Sequence, residues 1–249
     1  MNVEDVLGVL QLPPSPDVAQ EHIVSKATLR VNVPTLDSLF SGGLKPGCVY
    51  DIAGEAGSGK TQLCIQLSVN VQLPADQGGL ASRAIYIDTT GDFFPERVVK
   101  IASARGLDPA RALSNITYAR AHSLQHLLVL LDKAFREVVT GDYGLLVLDE
   151  LTSLVRSELL VPRERSEAYS RILRALWRVA NAGAVVAATR QVVSTNGLAP
   201  AGGAALDTYG CLSVMLRRRG ELREAVVLSS PWRHYSGVFR IGENGVEPP

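Results

Sequence analysis

Disulfide chemistry has little to work with here. The 249 residues hold three cysteines, Cys48, Cys64 and Cys211, widely scattered and with no C-x-x-C pair among them. A disulfide framework is excluded, and the thiols read as buried free cysteines in a reducing compartment. Net charge is missing as well, with 25 Lys and Arg against 25 Asp and Glu. The surface as a whole is therefore no polyanion trap, and any nucleic-acid contact must come from local patches. No apolar run reaches the ~20 residues that span a bilayer. The N-terminus is acidic (Glu4, Asp5) and lacks the long apolar core of a secretory signal. Nothing has the pattern of a Ser-His-Asp or Cys-His nucleophile. His122 and His126 stand four residues apart but have no third ligand nearby, so no metal site is expected there. A soluble, intracellular, globular protein with one core follows from a chain 46% hydrophobic and 20% charged.

What is present is specific. Gly54-Glu55-Ala56-Gly57-Ser58-Gly59-Lys60-Thr61 is a complete G-x-x-x-x-G-K-T loop, followed by Gln62. It lies between a strand-like run (Val49, Tyr50, Ile52, Ala53) and a helix-like one (Leu63, Ile65, Leu67), the context that confirms such a motif. Glycines let successive N–H groups turn toward a phosphate, and the helix that follows adds its positive end. Lys60 then reaches the β- and γ-phosphates and Thr61 holds Mg²⁺. ATP with Mg²⁺ is the expected ligand. Asp149, closing the apolar run Leu145–Leu148, is the expected second carboxylate of the metal site.

Organisation along the chain is simple. Residues 1–26 read as a short arm, apolar at Val3, Val6, Leu7 and Leu10, followed by a Pro-rich linker; residues 27–249 read as one core. Strands are expected at 84–88, 144–149, 183–189, 211–216 and 225–229, and helices near 60–72, 95–105, 122–139 and 166–181. Apolar strands alternating with helices predict an α/β fold, a mostly parallel sheet covered on both faces, with a C-terminal antiparallel hairpin turning at Arg218-Arg219-Gly220-Glu221.

Beyond the phosphate loop, most of residues 30–245 resembles the RecA-like core of the RadA-type strand-exchange recombinases. The resemblance is carried by Pro34-Thr35-Leu36-Asp37, Gly42-Gly43-Leu44, Gln72-Leu73-Pro74, Gly78-Gly79-Leu80, Tyr86-Ile87-Asp88-Thr89, Phe93, Pro95-Glu96-Arg97, Tyr118-Ala119-Arg120-Ala121, His126, Thr189, Gln191-Val192, Gly202-Gly203 and Ser230-Pro231, all in order. It implies ATP-dependent action on single-stranded DNA in recombination and repair. It also implies a γ-phosphate-sensing role for Gln191 and DNA contacts from two loops.

The departures matter as much. The resemblance implies a catalytic glutamate two residues after Asp88, and Thr90 stands there. A hydroxyl is no general base near neutral pH without an activator. Glu150 is the better substitute and Asp92 a second. ATP binding with weak or slow hydrolysis is therefore expected. Arg190 replaces the asparagine that precedes the sensing glutamine, either contacting phosphate or pairing with a carboxylate such as Asp92.

The first DNA loop would carry Arg156, Arg163 and Arg165 among acidic neighbours, unless this stretch is only a mixed-charge helix start. The second, Val193 to Ala205, is short and offers Gly202 and Gly203 but no cation or aromatic ring, so modest affinity is expected. Arg217-Arg218-Arg219 is the densest basic run, solvated or facing phosphate. Trp177 falls on an apolar stripe, and Trp232 either stacks on a base or packs. The resemblance also implies a Phe-x-x-Ala hook; Ala19 alone echoes it, with Pro16 at the aromatic position. A long homofilament is not expected.

The reading that results is a core-only recombinase paralogue, partnering a RadA-type recombinase or a sister paralogue, without membrane contact. It is DNA-associated, in cytoplasm if archaeal and nucleus if eukaryotic. Its alternatives are a competent DNA-dependent ATPase with strand-exchange activity, and a RecA-fold nucleotide switch unconnected with DNA.

Overall fold

The computed structural model describes residues 27–194, 198–207, 209–229 and 236–249. The sequence-assigned arm and linker, Trp232 and Ser230-Pro231 lie outside them. In chain order the elements are α1 (Pro34–Leu39), β1 (Val49–Gly54), α2 (Lys60–Asn70), β2 (Arg83–Asp88), α3 (Pro95–Ala104), α4 (Pro109–Ser114), β3 (Ile116–Arg120), α5 (Leu124–Thr140), β4 (Tyr143–Asp149), α6 (Ser153–Glu158), α7 (Pro162–Asn181), β5 (Val185–Arg190), β6 (Val192–Ser194), β7 (Leu198–Pro200), β8 (Leu212–Arg219), β9 (Leu222–Ser229), β10 (Ser236–Gly242) and β11 (Gly245–Glu247). The sheet runs β11-β10-β9-β8-β1-β5-β4-β2-β3, with β6 and β7 forming a separate ribbon. From β8 to β3 neighbours are parallel; from β8 to β11 they are antiparallel. This is the α/β fold with a C-terminal hairpin that the residue pattern predicts.

The central strands are apolar throughout because both faces are covered, and within them the side chains still alternate with a period of two. Leu145 and Val147 of β4 enter the core beneath α2 and α3, while Leu146 and Leu148 enter the core beneath α5 and α7. Helix starts follow local chemistry. The Ser123 hydroxyl accepts from His126 N–H at 3.1 Å and caps α5. Pro162 opens α7, its fixed φ suited to a first turn.

Four differences from the sequence reading stand out. Helix α7 begins at Pro162 rather than 166, so Arg163 and Arg165 lie on its first turn and not on a loop. Strand β3, half-exposed at the sheet edge, carries too little apolar signal to be expected. His122 precedes the cap of α5, so it shares no helix face with His126, although their rings stack 6.1 Å apart. Among the described residues there is no cluster of three potential metal ligands, and no helix is long and apolar enough to cross a membrane.

The last difference concerns the thiols. Cys64 is buried, but Cys48 and Cys211 are half-buried and adjacent, each leading into one of the neighbouring strands β1 and β8. The Cys211 N–H donates to the Val49 carbonyl at 2.7 Å, setting the two chains side by side. Interaction between the two side chains lowers the Cys211 pKa to about 7 and pushes Cys48 up. Thiolate is the reactive form, so alkylation of Cys211 slows as pH falls through that value. Mass-mapped iodoacetamide kinetics should give a midpoint of about 7 for Cys211, and Cys48→Ala should move it upward toward an ordinary thiol. An unchanged midpoint would show that the pair does not interact.

Candidate functional site

The parallel strands β1, β5, β4 and β2 end together, and a cavity of about 590 Å³ opens there above the phosphate loop. Gly57 and Gly59 adopt positive φ, 72° and 105°, which turns the loop back on itself ahead of α2. Gly54 has no room for a side chain: a Cβ there would sit 2.6 Å from the Leu216 carbonyl. Ala56, Gly57, Gly59, Lys60, Thr61 and Gln62 line the cavity. Gly54, Glu55 and Ser58 do not. The Ser58 hydroxyl is buried without a partner beneath the loop, and its N–H donates to the Glu55 carbonyl at 3.2 Å. Lys60 Nζ donates to the carbonyls of Gly54 and Glu55, both at 2.9 Å. Burial pulls its pKa down, against the pull of Asp149 and Glu150.

Asp149 is the meeting point of four elements. Its Oδ2 accepts from Thr61 Oγ1 at 2.7 Å and from the buried Tyr86 hydroxyl at 2.8 Å, and its Oδ1 accepts from Thr189 Oγ1. Thr61 and Asp149 thus present adjacent oxygens at the cavity floor, the hard donor set that suits Mg²⁺. With a loop of inward-curled backbone and one buried lysine above them, the residues present fit a nucleoside triphosphate with a hard divalent cation.

Thr90 and the three candidate catalytic residues, Glu150, Asp92 and Gln191, all line this cavity. Thr90 lines the cavity, but its N–H and hydroxyl turn back to Asp88 Oδ1, at 2.8 and 3.4 Å. Asp88 also accepts from the N–H groups of Gly91 and Phe93, while Arg120 donates to the Thr90 carbonyl at 2.9 Å. The segment is held from both sides. Glu150, joined to Asp149 through a cis peptide bond, lines the cavity wall. Its Oε1 accepts from Thr152 N and Gln191 N, both at 3.1 Å, and from the Thr152 hydroxyl. Asp92 lines the same cavity from its exposed rim, and Gln191 lines it as well.

Sequence reasoning assigned no site role to the far end of the cavity. Arg97, Phe94, Ile241 and Gly242 line it there. Arg97 donates to the Gln62 side chain and to the carbonyls of Gly242 and Glu243, at 2.6 and 2.8 Å. This ties α2, α3 and the C-terminal strands together and leaves an exposed Phe94 ring at the mouth. Pro95-Glu96-Arg97 is legible as a motif, but its place in the cavity depends on strands more than a hundred residues away.

The candidate DNA-facing residues divide. Arg156 and Arg165 come together with Gly202 around a second cavity of about 460 Å³, between α6, α7 and the β6–β7 ribbon. Arg156 is exposed; Arg165 donates to the Leu159 carbonyl at 2.7 Å and pins the α6–α7 turn. Arg163 points elsewhere, paired with Glu167 at 3.1 Å in one helical turn. Gly203 opens a short 3-10 turn on the rim. Arg190 does not reach Asp92. It is buried against Asp51 of β1 in a bidentate ion pair, with Nε–Oδ1 at 2.8 Å. Arg217 and Arg218 are exposed, Arg219 pairs with Glu224 at 3.3 Å, and Trp177 packs partly buried with its Nε1–H donating to the Tyr209 carbonyl.

Comparison with known proteins agrees with this geometry. The Rad51 family model matches residues 23–249. The chain is 36% identical over 224 residues to the DNA repair and recombination protein RadA of Cenarchaeum symbiosum, covering 85% of this chain and 56% of that one. It is 37% identical over 227 residues to RadA of Aeropyrum pernix, covering 86% and 71%. It is 35% identical over 236 residues to the DNA repair protein rhp51 of Schizosaccharomyces pombe, covering 89% and 65%. The chain therefore spans a little over half to about 71% of the length of these relatives. A match across both the phosphate-loop strands and the C-terminal strands that close the cavity means that the chain belongs to the Rad51 family and carries its RecA-like fold.

Proposed function

We propose that this chain is an ATP-binding accessory member of its family, which hydrolyses ATP slowly and modulates a recombinase filament on single-stranded DNA. The observation that carries this reading is Thr90: it stands at the cavity wall where an acid is expected, with its hydroxyl turned back to Asp88. The binding machinery beside it is intact. Lys60, Thr61 and Asp149 would hold the phosphates and Mg²⁺, while Arg97 and Gln62 border the opposite end of the cavity. Bound ATP supplies a γ-phosphoryl group whose presence or loss can be sensed. On the protein side, Gln191 lines the cavity and its N–H donates to Glu150 Oε1, directly ahead of the β6–β7 ribbon. The DNA-facing surface is then Arg156, Arg165 and Gly202, a small cationic rim suited to sequence-independent phosphate contacts of modest affinity. A recombinase or a sister paralogue is the protein partner this reading requires.

A second reading, a competent DNA-dependent ATPase, is favoured by one observation: Glu150 is a carboxylate in the cavity wall. Three donors on its Oε1 hold that carboxylate in one orientation.

Steady-state turnover separates the two. The accessory reading expects tight binding of a fluorescent ATP analogue, little stimulation by single-stranded DNA, and a rise of about 10²-fold in Thr90→Glu, the lower end of what a general base contributes. Strong DNA-stimulated turnover that collapses in Glu150→Gln would instead establish the second reading. The DNA surface has its own test. Arg156→Gln should lower the slope of log affinity for an oligothymidine against log salt by about 0.7, one single-strand phosphate contact. ATP binding should stay unchanged, and an unaltered slope would remove Arg156 from the DNA surface.

A further inference from the structure

The one buried ion pair in the described residues lies outside the reaction chemistry. Arg190, at the end of β5, is 1% exposed, and Asp51, midway along β1, is fully buried. The two form a fork-to-fork pair, and the Tyr209 hydroxyl donates to Asp51 Oδ1 at 3.1 Å. This uses only one side of the guanidinium. The other side leaves the core: Arg190 Nη1 donates to the Ala201 carbonyl at 3.0 Å and lies 3.7 Å from Asp207 Oδ1. Ala201 N–H in turn donates to the Gln191 carbonyl at 2.7 Å.

Ala201 lies on the return side of the second loop, Asp207 and Tyr209 follow that loop on the way to β8, and Gln191 shortly precedes it. One guanidinium therefore fastens the return of that loop to β1, at a point adjacent to the residue that lines the nucleotide cavity. The asparagine that the recombinase resemblance implies here is neutral and several bonds shorter. It carries no charge to match Asp51 and no second arm for Ala201. Charge-assisted, bidentate hydrogen bonds in a dry setting are the strong and geometrically exacting ones.

We infer that Arg190 is a positioning residue that clamps segment 198–207 in one arrangement whether or not nucleotide is bound, so that this chain presents a preset single-strand DNA surface rather than an ATP-gated one. Preordering removes the ordering cost that DNA would otherwise meet, and it removes the differential interaction through which ATP could shift the loop. The consequence for DNA rests on the proposed function; the clamp itself does not.

The test is hydrogen exchange of segment 198–207 in the full chain, without nucleotide and with a non-hydrolysable ATP analogue, in wild type, Asp51→Asn/Arg190→Asn and Arg190→Lys. The double variant removes both charges together, so no unpaired buried charge remains. Arg190→Lys keeps a cation for Asp51 but loses the second arm, which covers the case in which the double variant fails to fold. Wild-type exchange in 198–207 should be the same with and without analogue. In the variants it should rise about tenfold or more, the factor carried by a lost charged hydrogen bond, while α2 and β4 exchange as before. The variants should also acquire analogue-dependent exchange there. Unchanged exchange in Arg190→Lys, or wild-type exchange that slows on adding analogue, would overturn the clamp. Oligothymidine anisotropy on the same samples keeps the two ideas apart. An absence of DNA binding by wild type defeats the proposed function and leaves the exchange result standing. Binding that is equal with and without analogue in wild type, and analogue-dependent in Arg190→Lys, supports both.

Discussion

The carboxylate of Asp149 is the constraint on which the rest of this molecule is arranged. It accepts hydroxyl hydrogens from Thr61 at the start of α2, Tyr86 in β2 and Thr189 in β5, and it closes β4 itself. Three neighbouring strands and the phosphate-loop helix are thus registered on two oxygen atoms. A buried carboxylate is costly unless its lone pairs are filled, and here they are filled by groups that must each stay in place. Any change in strand register would leave this charge unsatisfied.

From that point the site spreads outward through a second set of polar contacts. The Thr89 hydroxyl donates to the Glu150 carbonyl at 2.7 Å and accepts from the Glu150 N–H at 3.0 Å, so the ends of β2 and β4 are joined. Tyr86 packs against Phe93 and Phe93 against Tyr118, with ring centroids 4.7 and 4.9 Å apart. The Tyr118 hydroxyl then reaches Asp88 at 3.2 Å. Asp88 orders the segment that carries Thr90 and Asp92. The departure at Thr90 is therefore set in a hydrogen-bonded frame.

The surface assigned to DNA is small and lies between α6, α7 and the β6–β7 ribbon. Only two of the three arginines in the first candidate loop face it, because Pro162 starts α7 early and turns Arg163 toward Glu167. The ribbon beside it is braced by Arg190 from within the core.

The residues in their order determined the phosphate loop, its strand and helix, the carboxylate Asp149 that closes β4, the α/β layering and the C-terminal hairpin. Those features are local: glycine conformations, a lysine and a hydroxyl at fixed spacing, and apolar runs whose length and flanks set strand against helix. The resemblance that named the family was likewise carried by short segments in sequence order. Tertiary structure alone decided what depends on distant partners. It turned Ser58 inward, placed Arg97 and Phe94 in the cavity, paired Cys48 with Cys211, and matched Arg190 to Asp51 rather than to Asp92. Strand order is the physical reason. β1 lies between β5 and β8, so residues some 140 to 160 positions apart along the chain become hydrogen-bonded neighbours, and a side chain's partner is set by that adjacency, which no local pattern records.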